Sequence, residues 1–372
     1  NPSVLTPLIF LQDYTDITMA KRNITLHIVP HTHWDREWYL PFESFRLRLV
    51  SLIDKLLDLM TNQATDYSSF MLDGQTIILY DYLEIRPEQY TLLSQLVQEG
   101  RLFIGPWYVL SDEFLVSPEA LIRNLVHGRH SSAAFGSWMD VGYMPDSFGH
   151  IGQMPQILRG FGINAAVLWR GLDDHPTEMW WTAPDGSSVL LCYLRDGYHN
   201  AAALPTKIDA FKTSLVQLRD RLAPYSATEH ILLMNGNDHH EAQPELPVLI
   251  AAMRRRTRGM TVLHSTLRTY IDALRRDGAE LPSIEGELRS PKRQPLLAGV
   301  LSARIPIKQR NHTLQALLEG WAEPFCAWAT LIDTGQASPS AFNAAGPSSA
   351  RLHSAEDVLR YAWQRLMQNH PH

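Results

Sequence analysis

Short apolar runs alternate with helical periods about seven times along the chain, and no other feature of the sequence restricts its fold as much. The runs at 24–29, 69–72, 102–104, 141–144, 165–169, 189–193, 230–234 and 260–264 read as strands. Between and after them, 45–60, 75–84, 87–98, 117–135, 153–160, 207–222, 244–256 and 266–276 carry apolar residues at helical spacing. A strand–helix alternation of this length predicts an α/β fold with a parallel sheet, either barrel-like or doubly wound. Polar residues with chemical potential recur just after the strands: His33 and Asp35, Trp107 and Asp112, Asp146, Arg170, and Asp238. In α/β folds the carboxyl edge of the sheet holds the active site. A random scatter of polar residues would not keep landing there.

Residues 1–23 show no clear period and read as an N-terminal arm, followed by an α/β catalytic domain over 24–284. After that the character changes. Residues 285–297 are rich in proline and charge, and 305–331 and 354–369 are long helical patterns with no strand between them. The loop at 336–349 is built of Ala, Ser, Gly and Pro. Residues 285–372 therefore read as the start of a helical bundle domain. The first residue is Asn1 and the last four are Asn369-His370-Pro371-His372, so the chain is expected to be a piece cut from a longer protein.

Composition narrows the function classes. The 372 residues are 45% hydrophobic and 19% charged, with a net charge of −6. Nothing in that balance calls for nucleic acid or an anionic membrane surface as partner. The cluster Arg254-Arg255-Arg256 reads as a solvated helix face. No stretch approaches the roughly 20 apolar residues of a membrane span, and the N-terminus lacks a signal pattern. Cys192 and Cys326 form no disulfide framework. Cys192 reads as an inert core thiol and the expected compartment is the reducing cytoplasm. The sequence leaves homo-oligomerisation open.

Three residues stand at alternate positions after the first strand: His31, His33 and Asp35. In extended backbone such residues share a face, so by chemistry all three are equal candidates for a metal site. More donors must come from other strand ends, and Asp146, bracketed by Pro145 and Gly149, is a third candidate. A turn-forming aspartate is the plainer alternative. Asp146 and Asp238 also make a carboxylate pair of the kind glycosidases use, provided that their environments hold one ionised and the other protonated. A metal beside Asp146 would keep it ionised, and Asp238 would stay protonated if partly desolvated. Arg170 can orient a carboxylate or a sugar hydroxyl. Trp38 and Trp107 are candidates for a sugar-stacking wall, with core packing as the ordinary alternative.

His31-Thr32-His33-Trp34-Asp35, Pro145-Asp146-Ser147-Phe148-Gly149-His150, Trp169-Arg170-Gly171, Asn235-Gly236-Asn237-Asp238 and Asn369-His370-Pro371-His372 together resemble glycoside hydrolase family 38 in order and spacing. That family comprises retaining, zinc-dependent α-mannosidases. Leu72-Asp73-Gly74-Gln75 and Gly105-Pro106-Trp107-Tyr108 point to its bacterial branch, which includes mannosylglycerate hydrolases. The resemblance implies a seven-stranded parallel β/α barrel-like domain. It implies one Zn2+ held by His33, Asp35, Asp146 and His372, with His31 as a neighbour only. Asp146 matches the catalytic nucleophile and Asp238 the general acid/base. Trp38 and Arg170 match residues lining the mannose site, and Asp112 matches a pocket acid. The implied substrate is a terminal α-mannoside or mannosyl conjugate. The competing readings are a metal-dependent carbohydrate deacetylase or amidohydrolase, and a truncated, non-catalytic carbohydrate-binding fragment.

Overall fold

The computed structural model describes residues 23–62, 64–253, 259–332 and 354–372. The arm, the Arg254-Arg255-Arg256 cluster and the loop at 336–349 lie outside these residues, apart from Asn23. Ten strands lie among the described residues: β1 (Ile24–Thr32), β2 (Phe70–Leu72), β3 (Leu102–Phe103), β4 (Gly142–Met144), β5 (Ala165–Leu168), β6 (Glu178–Thr182), β7 (Ser188–Tyr193), β8 (His230–Asn235), β9 (Met260–His264) and β10 (Ser283–Glu285). They form two five-stranded sheets. One runs β3-β2-β1-β8 with β9 also on β1, and the other runs β10-β6-β7-β5-β4.

β1 is the hub of the first sheet. Its lower part pairs in parallel with β8 and β9, and its upper end, His31 and Thr32, pairs in parallel with Met71 and Leu72 of β2. Leu26 and Ile28 on one face and His27 and Val29 on the other are all buried, as expected for a strand covered on both faces. The two sheets meet at their edges through single backbone bonds. Met139 N donates to Ile104 O between β3 and β4, and Ala201 N donates to Met234 O beside β8. The antiparallel pair β6–β7 and the short edge strand β10 were not expected from the sequence. β6 alternates a buried Met179, an exposed Trp180 and a buried Trp181 over too few residues to stand out as a period, and β10 is three mostly exposed residues.

Eleven helices are described: α1 (Phe42–Thr61), α2 (Ile77–Leu83), α3 (Tyr90–Gln98), α4 (Pro118–Phe135), α5 (Met154–Gly160), α6 (Ile208–Leu222), α7 (Leu246–Met253), α8 (Leu267–Asp277), α9 (Ile305–Leu317), α10 (Glu323–Ile332) and α11 (Ala355–Met367). α4 begins as its sequence predicts. Ser117 caps it by accepting from Ala120 N at 3.0 Å, Pro118 occupies the first turn, and Gly136 ends it at φ 108°. α4 also lies close against the segment 106–108. A Cβ on Gly128 would meet Pro106 O at 2.0 Å. One turn earlier, Asn124 Oδ1 accepts from Tyr108 N and Val109 N, while its Nδ2 donates to Val109 O and Ser111 Oγ. Those bonds fix the chain leading to Asp112.

The helical pattern at 305–331 is one continuous rod, with a wider π turn at Leu318–Ala322 joining α9 to α10. α11 packs on α4 through buried Trp363, whose Nε1 donates to Glu323 Oε1 at 2.8 Å. After α11 the chain turns back, and Asp112 N donates to His370 O at 3.1 Å. That bond brings residues 370–372 to the carboxyl ends of the strands. No helix among the described residues is long and apolar enough to cross a membrane.

Candidate active site

The site begins where β1 ends. His33 N donates to Asn237 O at 3.2 Å and His33 O accepts from His239 N at 2.9 Å. This short parallel bridge sets Asp238 beside His33. His33 Nδ1 lies 3.3 Å from Asp73 Oδ2, and His33 Nε2, buried and without a hydrogen-bond partner, lies 3.6 Å from Asp35 Oδ1. Arg36 anchors the stretch to α2, its Nε and Nη2 donating to both oxygens of Asp81 at 2.6 and 2.9 Å.

Asp146 comes from the other sheet, just after β4. Its Oδ1 accepts from Arg170 Nε at 2.6 Å, and its Oδ2 lies 3.9 Å from His372 Nε2. His372 is stacked on Phe148, with ring centroids 3.9 Å apart. His33, Asp35, Asp146, Arg170 and His372 are thus brought together from both sheets and from the far end of the described chain. Asp238 faces the same group: its Oδ1 accepts from the Tyr198 hydroxyl at 2.7 Å, and the Tyr198 ring lies 4.9 Å from that of His33.

The electrostatics of the cluster ask for positive charge. Burial alone would raise the Asp35 carboxyl, but His33, with His372 and His239 behind it, holds it below the usual range. Burial pushes the Asp146 carboxyl up, against the pull of His33, Arg170 and His372. Burial would depress both imidazoles, yet Asp73 and Asp35 hold His33 well above its ordinary value, and Asp112, Asp146 and Asp35 raise His372. Among the described residues no three His, Cys, Asp or Glu side chains already close on one point as a formed metal site. The donor set nevertheless suits a divalent ion. Donors of a tetrahedral zinc site with bonds of ~2.0–2.1 Å stand roughly 3.4 Å apart. Within the His33–Asp35 pair the spacing is 3.6 Å and within the Asp146–His372 pair it is 3.9 Å, both near that value, and the orphaned His33 Nε2 lacks any other partner.

Three expectations change, and of the three alternate residues after the first strand one falls outside the cluster. His31 does not share the donor face: its Nε2 donates to Tyr198 O at 2.7 Å, deep in the core. Trp107 is 4% exposed and packs among core residues, so it offers no face to a sugar. Its place in the sequence, after a strand, could not distinguish inward from outward. Trp38, 50% exposed with its ring 5.4 Å from His372, does stand at the mouth. Asp112 is 3% exposed and faces protein donors rather than open space. Asp238 is exposed rather than desolvated. Asp73 and Tyr198 were missed as site residues. Asp73 stood in the Leu72-Asp73-Gly74-Gln75 motif without a role of its own, and the structure holds it at φ 55°; Tyr198 gave no signal.

The chain is similar to several known proteins. The N-terminal domain of glycosyl hydrolases family 38 matches residues 23–287. A protein of Halalkalibacterium halodurans named "Putative mannosylglycerate hydrolase" is 39% identical over 368 residues, covering 94% of this chain and 38% of the relative. Alpha-mannosidase 2C1 of Mus musculus is 29% identical over 177 residues, covering 45% of this chain and 16% of the relative. The crystal structure of an alpha-mannosidase from Enterococcus faecalis V583 superposes with a TM-score of 0.85 at 36% identity, over 94% of this chain and 38% of that one. The chain thus spans a little over a third of the length of the first of these relatives and of the superposed structure.

Proposed function

The chain belongs to glycosyl hydrolases family 38, and from that premise we propose that it is the catalytic part of a retaining, exo-acting α-mannosidase that acts on a terminal α-mannoside or mannosyl conjugate. The observation that carries this reading is the convergence of Asp146, Asp35, His33 and His372 at the carboxyl ends of the strands, with Asp238 alongside. We read β1, β2, β3, β4, β5, β7 and β8 as a seven-stranded barrel-like ring within a domain over 24–284, with 285–372 as the start of a helical domain. Two free cysteines, one of them buried, support a cytoplasmic setting.

His33, Asp35, Asp146 and His372 would hold one Zn2+. When bound, it supplies a fixed positive charge that keeps carboxylates ionised and polarises sugar hydroxyls. Trp38 offers an exposed face for the sugar ring, and Arg170 holds Asp146 in place through the 2.6 Å bond. Asp146 attacks C1 while the glycosidic C–O bond breaks, and Asp238 gives its proton to the leaving oxygen. Asp238 then takes a proton from water, which attacks C1 and releases Asp146. Tyr198 donates to one oxygen of Asp238 and leaves the other for the travelling proton.

The test is hydrolysis of aryl α-mannosides. Asp146→Ala should abolish turnover on every substrate. Asp238→Ala should spare the first step on substrates with activated leaving groups, which need little protonation, and lose about 10²–10⁴-fold on the others. Equal loss on both classes would remove Asp238 from the role of acid. Chelation should remove activity and added Zn2+ restore it. Activity that survives complete metal removal would exclude the metal-assisted reading.

A further inference from the structure

We propose that Asp112 and Glu113 are positioning residues, two consecutive carboxylates that fix the loop carrying Asp146 and the ring of His372. The inference rests on the glycosidase reading above. Neither carboxylate faces the sugar, since Asp112 is 3% and Glu113 4% exposed. Each divides its two oxygens between two partners. Asp112 Oδ1 accepts from Phe148 N at 3.2 Å, and Oδ2, which has no hydrogen-bond partner of its own, lies 3.1 Å from His372 Nδ1 as an ion-pair contact. Glu113 Oε1 meets His150 Nδ1 at 2.6 Å, and Oε2 accepts from Ile151 N at 2.8 Å. Between them they clasp positions 148, 150 and 151, the far side of the turn that begins at Asp146. The same side of that turn is also held by backbone pairing of His150 with Leu288 in both directions, at 3.0 and 2.9 Å.

Packing alone does not account for this. A buried ion pair is a poor source of stability, and apolar residues of similar volume would cost less desolvation. What the two carboxylates provide is acceptors only, each aimed at two donors. An amide of the same shape serves both only by forcing the imidazole to its other tautomer. Asp112→Asn must place its NH2 either against Phe148 N–H, donor against donor, or against His372 Nδ1. The second choice moves the imidazole proton to Nε2, the nitrogen that looks toward Asp146. Glu113→Gln meets the same conflict between His150 Nδ1 and Ile151 N. Carboxylates behind ligating histidines commonly contribute 10–100-fold to metal affinity or activity.

The experiment compares the whole chain with Asp112→Asn, Glu113→Gln and the double substitution Glu113→Gln/His150→Asn. Zn2+ affinity is measured by chelator competition, kcat and KM with an aryl α-mannoside at saturating Zn2+, and Tm by circular dichroism. Asp112→Asn should weaken Zn2+ binding by about 10–100-fold. Glu113→Gln should lower kcat by about tenfold or more, with KM changed less than about threefold. The double substitution re-forms an amide–amide hydrogen bond, so it should recover Tm even where the single variant folds poorly, yet leave kcat low. The proposal is overturned if both single variants keep Zn2+ affinity and kcat within about threefold of the parent, or if the double substitution restores kcat together with Tm. In either case an active, zinc-binding parent leaves the glycosidase reading standing. A parent that neither binds Zn2+ nor cleaves the mannoside overturns both.

Discussion

The Tyr198 hydroxyl donates to Asp238 Oδ1 at 2.7 Å, its carbonyl is held by His31, and its ring lies against Trp169 with centroids 5.2 Å apart. One side chain thus ties an exposed carboxylate to the buried wall of the site. Tyr198→Phe keeps the ring and removes only the tether. Its expected effect is about a tenfold loss of kcat on substrates with poor leaving groups and little change on activated ones, because only the former depend on a well-aimed proton donor. A uniform loss across a leaving-group series would argue for a packing role instead. Single residues of this kind mark the limit of what the sequence could say. His33, Asp35, Asp146 and Arg170 were legible because each follows a recognisable strand. The partners that orient them were not, since His33 meets Asp73 40 positions away, Tyr198 meets Asp238 40 away and Glu113 meets His150 37 away. Such pairings depend on how strands are ordered in space, and no local pattern carries that information.

At the scale of elements, helix ends were the most readable feature, because a cap is a local hydrogen bond. Ser117-Pro118 and the final Gly136 bound α4 where the sequence places them. The close seat of α4 on the segment 106–108 was not readable, since Gly128 looks like any helical glycine. Its missing Cβ is what lets the helix approach. A Cβ there would also stand 2.5 Å from the carbonyl carbon of Trp107. Gly128→Ala is expected to destabilise the fold by about 1–3 kcal/mol, through overpacking that its gain in helix propensity does not offset. Thermal unfolding checks this, and an unchanged or higher Tm would show that the segment yields freely. The strands β6 and β10 escaped sequence reading for the opposite reason. Their hydrogen bonds run to partners that supply the order their own residues lack.

For the molecule as a whole, buried histidines away from the site set the response to acid. Burial pushes His27 down from 6.5 to about 4, with His230 and Arg276 adding to it, and burial does the same to His127. At each of these two histidines the unfolded chain binds more protons than the folded one between about pH 4 and 6.5, so their contribution to stability rises with pH across that window and is lost as pH falls through it. A shift of this size is worth up to about 3 kcal/mol for each histidine. Urea denaturation at stepped pH should show the slope, and His127→Phe should flatten part of it. A stability flat from pH 6.5 to 4.5 would contradict the assignment.

His372 meets Asp112 and Asp146 across nearly the full described length, while His33 and Asp35 sit at the end of the first strand. The site is therefore a buckle fastened by its first and last parts. Loosening α9, α10 or α11 would then leave each fastened molecule as fast as before and reduce how many are fastened. Such a defect shows in a count of active sites by a trapped glycosyl adduct, and not in the rate per site.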